Sequence, residues 1–498
     1  MQYYFAKTEF IINLQYLYMC GILDIKWMKV KYIMIKALPK KKMYRYCLAD
    51  IAKGLFNGMI GNYLLYFFQP TVKSGLPNLL PQSKLLGFIT VMALITGIGK
   101  VVDAVTDPLV ATLSDKCNHK AGRRMPFLRF AAIPYALSLL LIFYAPFSEG
   151  SVGNAIWVGF FLVAYYVSYT FFFIPRNALV PEIIPDANVR VGYYTVSTVF
   201  FMGSSAFMYG ATLFVNFFKD AGLSPLWAWR TVFTVFVAIG IICLLLSAYA
   251  FNEKEYVKNS TKPKDSVFKS FGIVLKNRNF VVFSLGDLFS YISLCFFESA
   301  MLYYITMLLN IEENKVFYVL LAAIVTAICL FPVIVKISRK YNKKMPLIIA
   351  SVLFTIVFAV IYVGDKIAAM FAGHELVIGI IVGILVAFPF AAINILPQSV
   401  ISDIIQLDCL EKGVNREGIF SAVKTFLEKI AVSVAMIIVS SVLAVGAVAG
   451  ESVGMQGVKL TGVCAGVFSL LSLIMFIIYD DKKVTEGIKK FSNKEENK

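Results

Sequence analysis

The chain has 498 residues, of which 59% are hydrophobic and only 15% charged. A soluble domain is about half apolar and about a quarter charged, so the composition excludes an ordinary soluble enzyme and describes a polytopic membrane protein. The net charge of +17 does not argue for nucleic acid. No stacking platform of aromatic residues accompanies a basic soluble segment, and Lys and Arg collect in cytoplasmic loops under the positive-inside rule.

Residues 1–42 come first and fit poorly. Phe10 to Ile25 is apolar but interrupted, short for a span, and lacks an Ala-x-Ala cleavage site. This stretch reads as a non-native or dispensable extension. Apolar segments near 20 residues then mark spanning helices. Twelve are expected, at about 47–68, 86–114, 126–146, 153–180, 192–218, 227–250, 279–308, 315–336, 345–363, 376–402, 417–446 and 457–479. The first is weakened by Asp50 and Lys53.

The loops at 116–129, 254–278 and 336–344 are strongly basic, whereas 147–154 and 364–375 carry few Lys or Arg. That alternation places both termini and the basic loops in the cytoplasm of a cell-membrane protein. The fold class is therefore an all-α membrane protein with twelve transmembrane helices in two six-helix halves. The halves are 43–251 and 279–479, joined by a cytoplasmic loop at 252–278 and followed by a polar, frayed tail at 480–498. Two similar halves imply a substrate site between them near the midplane.

The eight cysteines are scattered without a CxxC pair, which suggests neither a zinc site nor a disulfide framework. His119 and His374 lie in loops, so a histidine metal site is not expected. No Gly-x-Ser-x-Gly and no phosphate-binding loop is present, so the chain is not read as an enzyme.

The second span carries the chemistry. Lys100, Asp103 and Asp107 lie at i, i+3 and i+7 on one helical stripe, with Thr106 beside them. A carboxylate at bilayer depth costs roughly 2.5–3.5 kcal/mol on insertion scales. Two of them exceed what one lysine neutralises. Carboxylates with a hydroxyl suit sodium, and they hold a proton instead if desolvation raises their affinity for it. The alternative is that Lys100 pairs with an aspartate and pins helices together.

Other charges follow along the chain. Arg176 suits bidentate binding of a substrate carboxylate, or else pairs with Glu182 or snorkels. Asp287 and Glu298 share a face of the seventh span. Asp287 reads as a packing group, and Glu298 as either packing or a second proton site. Lys424 and Glu428 are i, i+4 partners.

Lys100-Val-Val-Asp-Ala-Val-Thr-Asp-Pro-Leu, then Leu113-Ser-Asp-Lys, then Ala121-Gly-Arg-Arg-Met-Pro-Phe-Leu, resembles the glycoside-pentoside-hexuronide:cation symporters of the major facilitator superfamily. The resemblance runs from about Leu48 to Tyr479. It implies that Asp103 and Asp107 bind the coupling cation, aided by Thr106 and by Thr170 in Tyr169-Thr170-Phe-Phe-Phe-Ile-Pro-Arg-Asn. It implies a coupling role for Lys429, with Lys100 nearby, and a gating role for Asp115, Arg123 and Arg124. The substrate-facing candidates are Tyr169, Arg176, Asn177, Lys53, Asn394 and Thr425. Asp403 and Arg416 fall in a loop that serves gating or topology.

The chain departs from the family pattern where sugar is bound. Phe173 and Gly54 stand at acid positions, Asn177 at a Trp position and Thr198 at an Arg position. The expectation is a monomeric secondary transporter in membrane lipid, with no cofactor beyond the coupling ion, Na+ or H+. It takes up a sugar or glycoside and binds no nucleic acid. The rivals are a lysolipid or other organic-solute symporter, and a non-transporting sensor.

Overall fold

The computed structural model describes residues 38–71, 74–82, 84–85, 89–184, 187–257, 272, 274–412, 417–448 and 451–496. Positions 1–37 of the expected extension, most of the central loop, and Arg416 lie outside the described residues.

The chain begins with α1 (Lys40–Cys47) and α2 (Ala49–Gly58), joined through Leu48, which is itself helical. A π-helical turn at Met59–Tyr63 leads into α3 (Leu64–Phe68). A two-stranded antiparallel hairpin follows, β1 (Lys84–Leu85) and β2 (Ile89–Thr90), with Lys84 opposite Thr90. The second span therefore starts at Val91 and not at 86. Thr90 closes the hairpin and caps the helix, its hydroxyl accepting from the Ala93 N–H at 3.1 Å.

Next come α4 (Val91–Lys116), α5 (Met125–Phe143) and α6 (Val152–Ile183). The fifth span is broken at Tyr209–Gly210 into α7 (Ala187–Met208) and α8 (Ala211–Asp220). Then follow α9 (Pro225–Ala248), the short α10 (Glu253–Tyr256) and α11 (Arg278–Tyr303). A π-helical turn at Tyr304–Leu308 and a 3-10 turn at Glu313–Lys315 lead to α12 (Val316–Lys340). The last elements are α13 (Lys344–Tyr362), α14 (Gly364–Met370), α15 (Glu375–Lys412), α16 (Glu417–Leu443), α17 (Met455–Ile478) and α18 (Asp481–Glu496).

Among the described residues, ten helical segments are long and apolar enough to cross a membrane. The other two expected spans exist as helices that composition disguises. The first is divided by its π turn. The second, α4, carries Lys100, Asp103, Asp107, Asp115 and Lys116. The tail is not frayed: Asp480 caps α18 through the Lys483 N–H at 3.0 Å. Val484 is buried, Ile488 and Phe491 pack beside it, and the helix lies on α15.

Helices α2, α4, α5, α6, α7 and α9 pack with one another, and so do α11, α12, α13, α15, α16 and α17. The two groups meet along α4 against α16, and along the first π turn and α3 against α11. Burying apolar surface does not by itself drive helices together in lipid, so close packing of small residues matters. A Cβ on Gly54 would lie 2.1 Å from Ser204 Oγ and 2.4 Å from the Phe201 carbonyl. Helices α2 and α7 thus touch nearly backbone to backbone there.

Candidate functional site

Helix α4 has two faces. Leu94, Ile98, Val101, Val105, Leu109 and Leu113 recur at spacings of three and four residues and are exposed on the outside of the bundle. The opposite face turns Asp103 inward, where it is buried, with Asp107 half-buried one turn on. Pro108 inside the helix has no N–H to donate.

The partner of these carboxylates is Lys429 of α16. Its Nζ lies 2.9 Å from Asp103 Oδ1 and 2.7 Å from Asp107 Oδ2, and also donates to the Asp103 carbonyl at 3.2 Å. Thr170 of α6, fully buried, donates to Asp107 Oδ1 at 3.1 Å and stands 3.3 Å from Asp103 Oδ1. Thr106 Oγ1 reaches Thr170 Oγ1 at 3.4 Å and donates to the Asp103 carbonyl at 3.1 Å. Five predicted residues from three helices are therefore gathered at one point. Two carboxylates face one ammonium.

Lys100 is placed elsewhere. Its Nζ lies 4.2 Å from the centre of the Tyr166 ring, a cation–π contact. The alternative, a pair between Lys100 and an aspartate, is not what the structure shows: Lys429 holds both carboxylates.

Arg176 is buried in a fork-to-fork pair with Asp50 of α2, at 3.0 Å and 2.7 Å. It also donates to the Tyr46 carbonyl at 3.0 Å, while Ser197 donates to Asp50 at 2.5 Å. Its partner is thus neither Glu182 nor solvent. Sequence reasoning missed Asp50 in this role, although a carboxylate inside an apolar span signals that a partner exists.

The remaining substrate candidates are only partly assembled. Lys53 Nζ lies over the Phe173 ring at 5.5 Å and the Phe201 ring at 5.2 Å. Tyr169 stacks near Phe173, with ring centres 4.8 Å apart. Lys53, Phe173 and Tyr169 therefore form one cluster, with the Arg176 guanidinium 5.7 Å from Phe173. Asn177, Asn394 and Thr425 are exposed. The Asn394 amide donates to Phe390 on its own helix at 2.8 Å, so the structure does not bring it into that cluster.

At the basic end, Arg123 and Arg124 both pair with Glu182, at 3.0 Å and 2.8 Å. Glu253 accepts from the backbone N–H groups of Arg124 and Met125 at 2.8 and 2.9 Å, capping α5. Gly122 makes this cap possible: its φ is +116°, and a Cβ there would lie 2.2 Å from a Glu253 oxygen. The Asp115 side chain lies outside the described residues. In the second half, Lys343 pairs with Asp403 at 2.6 Å.

At the opposite end the halves are bonded to each other. Glu313 receives the Tyr66 hydroxyl and the Lys219 ammonium, the latter at 3.0 Å. Ser440 bonds Gln69 at 3.0 Å and Thr90 at 2.7 Å, Tyr303 donates to the Gln69 carbonyl at 2.9 Å, and Ser452 donates to Asn78 at 2.5 Å. No local pattern in the sequence announces these pairs.

The profile of the family described as MFS/sugar transport protein matches residues 45–479. A lactose permease of Lactobacillus helveticus is 23% identical over 89% of this chain and 69% of its own length. A putative glycoside/cation symporter of Escherichia coli (strain K12) is 23% identical over 78% of this chain and 83% of its own. A crystal structure of a nucleoside transporter superposes with a TM-score of 0.60 at 11% identity, covering 89% of this chain and 99% of that one.

Proposed function

The chain belongs to the MFS/sugar transport protein family and is a multi-pass membrane transporter rather than an enzyme, a premise from which we propose that it couples inward movement of sodium or protons to uptake of a sugar or glycoside. The observation that carries this reading is the Lys429 ammonium held between Asp103 and Asp107. An ammonium and an incoming cation compete for the same oxygens. Cation binding therefore displaces Lys429 and loosens α4 from α16, a contact between the two halves. A ligand shifts a conformational equilibrium only through such differential contacts.

Bonds from Glu313, Gln69 and Ser440 close the end opposite the basic loops. With the basic loops and both termini in the cytoplasm, this is an inward-facing conformer of a cell-membrane carrier. It works as a monomer in membrane lipid, its substrate is a small molecule, and nucleic acid is no partner. The sugar assignment is supported by the relatives, a lactose permease and a putative glycoside/cation symporter, and neither favours a lysolipid carrier or a sensor.

Proteoliposomes loaded with the purified protein test the proposal. Lactose, isoprimeverose and methyl glucuronide are offered under an imposed sodium gradient or an imposed pH gradient. Accumulation driven by one gradient identifies the coupling ion. Failure of both gradients to drive uptake of any sugar would sink the symport reading.

A further inference from the structure

Glu298 of α11 is a half-buried carboxylate. Among the described residues it makes no hydrogen bond and no ion pair. Glu298, Met301 and Ile305 lie at i, i+3 and i+7 on one helical stripe, and Met301 and Ile305 line a cleft with Tyr209, at the break between α7 and α8. Asp287, Tyr291, Cys295 and Glu298 are spaced by four, four and three residues, so they form one stripe. Asp287 at the other end of that stripe stands 3.9 Å from Lys424 of α16. Glu298 marks the end of this stripe farthest from the basic loops, next to a cleft walled by Tyr209 of the first half and Met301 of the second.

The cations around the interior are committed elsewhere. Lys429 is held by Asp103 and Asp107, Lys424 pairs with Glu428 and stands 3.9 Å from Asp287, and Lys100 and Lys53 rest on aromatic rings. An acid left without a partner at this depth is costly. A ligand that brings donors offsets that cost. Tyr209 walls an apolar cleft with Phe297 and Met301, which flank Glu298 on its helix. An acceptor of two hydroxyl bonds next to an aromatic ring suits a sugar, which has O–H groups at its edge and C–H groups on its face. Among the described residues the first half's interior acids are engaged: Asp50 by Arg176, Asp103 and Asp107 by Lys429, while Phe173 and Gly54 carry none.

We infer that Glu298 is a substrate-binding residue, its carboxylate accepting hydrogen bonds from glycoside hydroxyls while the Tyr209 ring packs against the sugar face. This rests on the glycoside-transport reading above. The test measures sugar counterflow and equilibrium binding in proteoliposomes for wild type, Glu298→Ala and Glu298→Gln. The probe is whichever of lactose, isoprimeverose and methyl glucuronide the wild type moves.

Glu298→Ala should raise the half-saturating sugar concentration more than tenfold, with the half-saturating cation concentration within twofold of wild type. The isosteric Glu298→Gln should fall between, because the amide keeps one acceptor oxygen. Sugar affinity unchanged in both variants overturns the assignment. So does normal counterflow with loss of pH-driven accumulation, which would make Glu298 a proton site. A wild type that neither binds nor moves any of the three sugars overturns the transport reading, and this site falls with it.

Discussion

The Lys429 ammonium lies 2.7 Å from Asp107 Oδ2, although the two residues belong to different halves of the molecule. This bond ties α4 to α16, its counterpart in the second half. Asp107→Asn should therefore abolish uphill sugar accumulation, at least tenfold below wild type, while energy-independent counterflow survives. Lys429→Gln should also uncouple, and it leaves two carboxylates to one cation. Its thermal midpoint in detergent should fall without the coupling cation and recover when the cation is added. Concentrative uptake unimpaired in either variant would remove that residue from the coupling site.

Arg176 and Asp50 test a different idea. Removing one member of a buried pair leaves an uncompensated charge and costs about 3–5 kcal/mol. Arg176→Gln and Asp50→Asn should each lower the thermal midpoint sharply, and a double replacement by Met and Leu should recover most of it. A single variant with wild-type stability and a selectively raised sugar KM would show that the arginine serves substrate instead.

Glu313 holds the closed end through Tyr66 and Lys219. Glu313→Ala should shift the carrier toward the outward-open state. A cysteine placed at Ser440 should then react several-fold faster with a membrane-impermeant maleimide added outside. Equal rates in the two backgrounds would count against a role for this contact in closure.

Gly122 tests the cap on α5. Ala in place of Gly122 meets both a positive φ and the Glu253 carboxylate. Loss of an N-cap costs about 1 kcal/mol, and backbone strain of this kind adds roughly 1–3 kcal/mol. Gly122→Ala should lower the yield of folded protein and its thermal midpoint, whereas Ala at the open position Gly150 should change stability only through its own positive φ.

Asp365 in the α14 connector gives a pH test. Its carboxyl is held below the ordinary range chiefly by a hydrogen bond from Lys459, at 2.6 Å. A depressed folded value stabilises the protein above the unfolded carboxylate pKa, about 3.9, and the gain fades as pH falls through the folded value. The pair is partly exposed, so its effect is small. Asp365→Asn should lower the thermal midpoint slightly at pH 6 and converge with wild type as the pH falls below 4.

Spanning helices were legible because membrane thickness fixes their length and lipid fixes their composition. The paired strands Lys84–Leu85 and Ile89–Thr90 were not, since a short strand leading into an apolar helix looks like the helix itself. The α18 helix was hidden because its lysines outweigh the three apolar residues that dock it. Within the site, Asp103 and Asp107 stood out as charges in lipid, and the resemblance supplied Thr170 and Lys429. Lys100 misled because stripe membership says nothing about where a long side chain ends. Asp50 and Arg176 are 126 positions apart, and no periodicity links residues on different helices.

The close crossing at Gly54 constrains how this carrier can change its diet. With α7 backbone where a side chain would go, an acid cannot be reintroduced at that position by one mutation; the helices would first have to separate. Evolution, or an engineer selecting for new sugars, is left with the cleft that Tyr209, Phe297 and Met301 wall. Libraries directed at α11 and at the break between α7 and α8 should yield altered substrate ranges more often than libraries directed at α2.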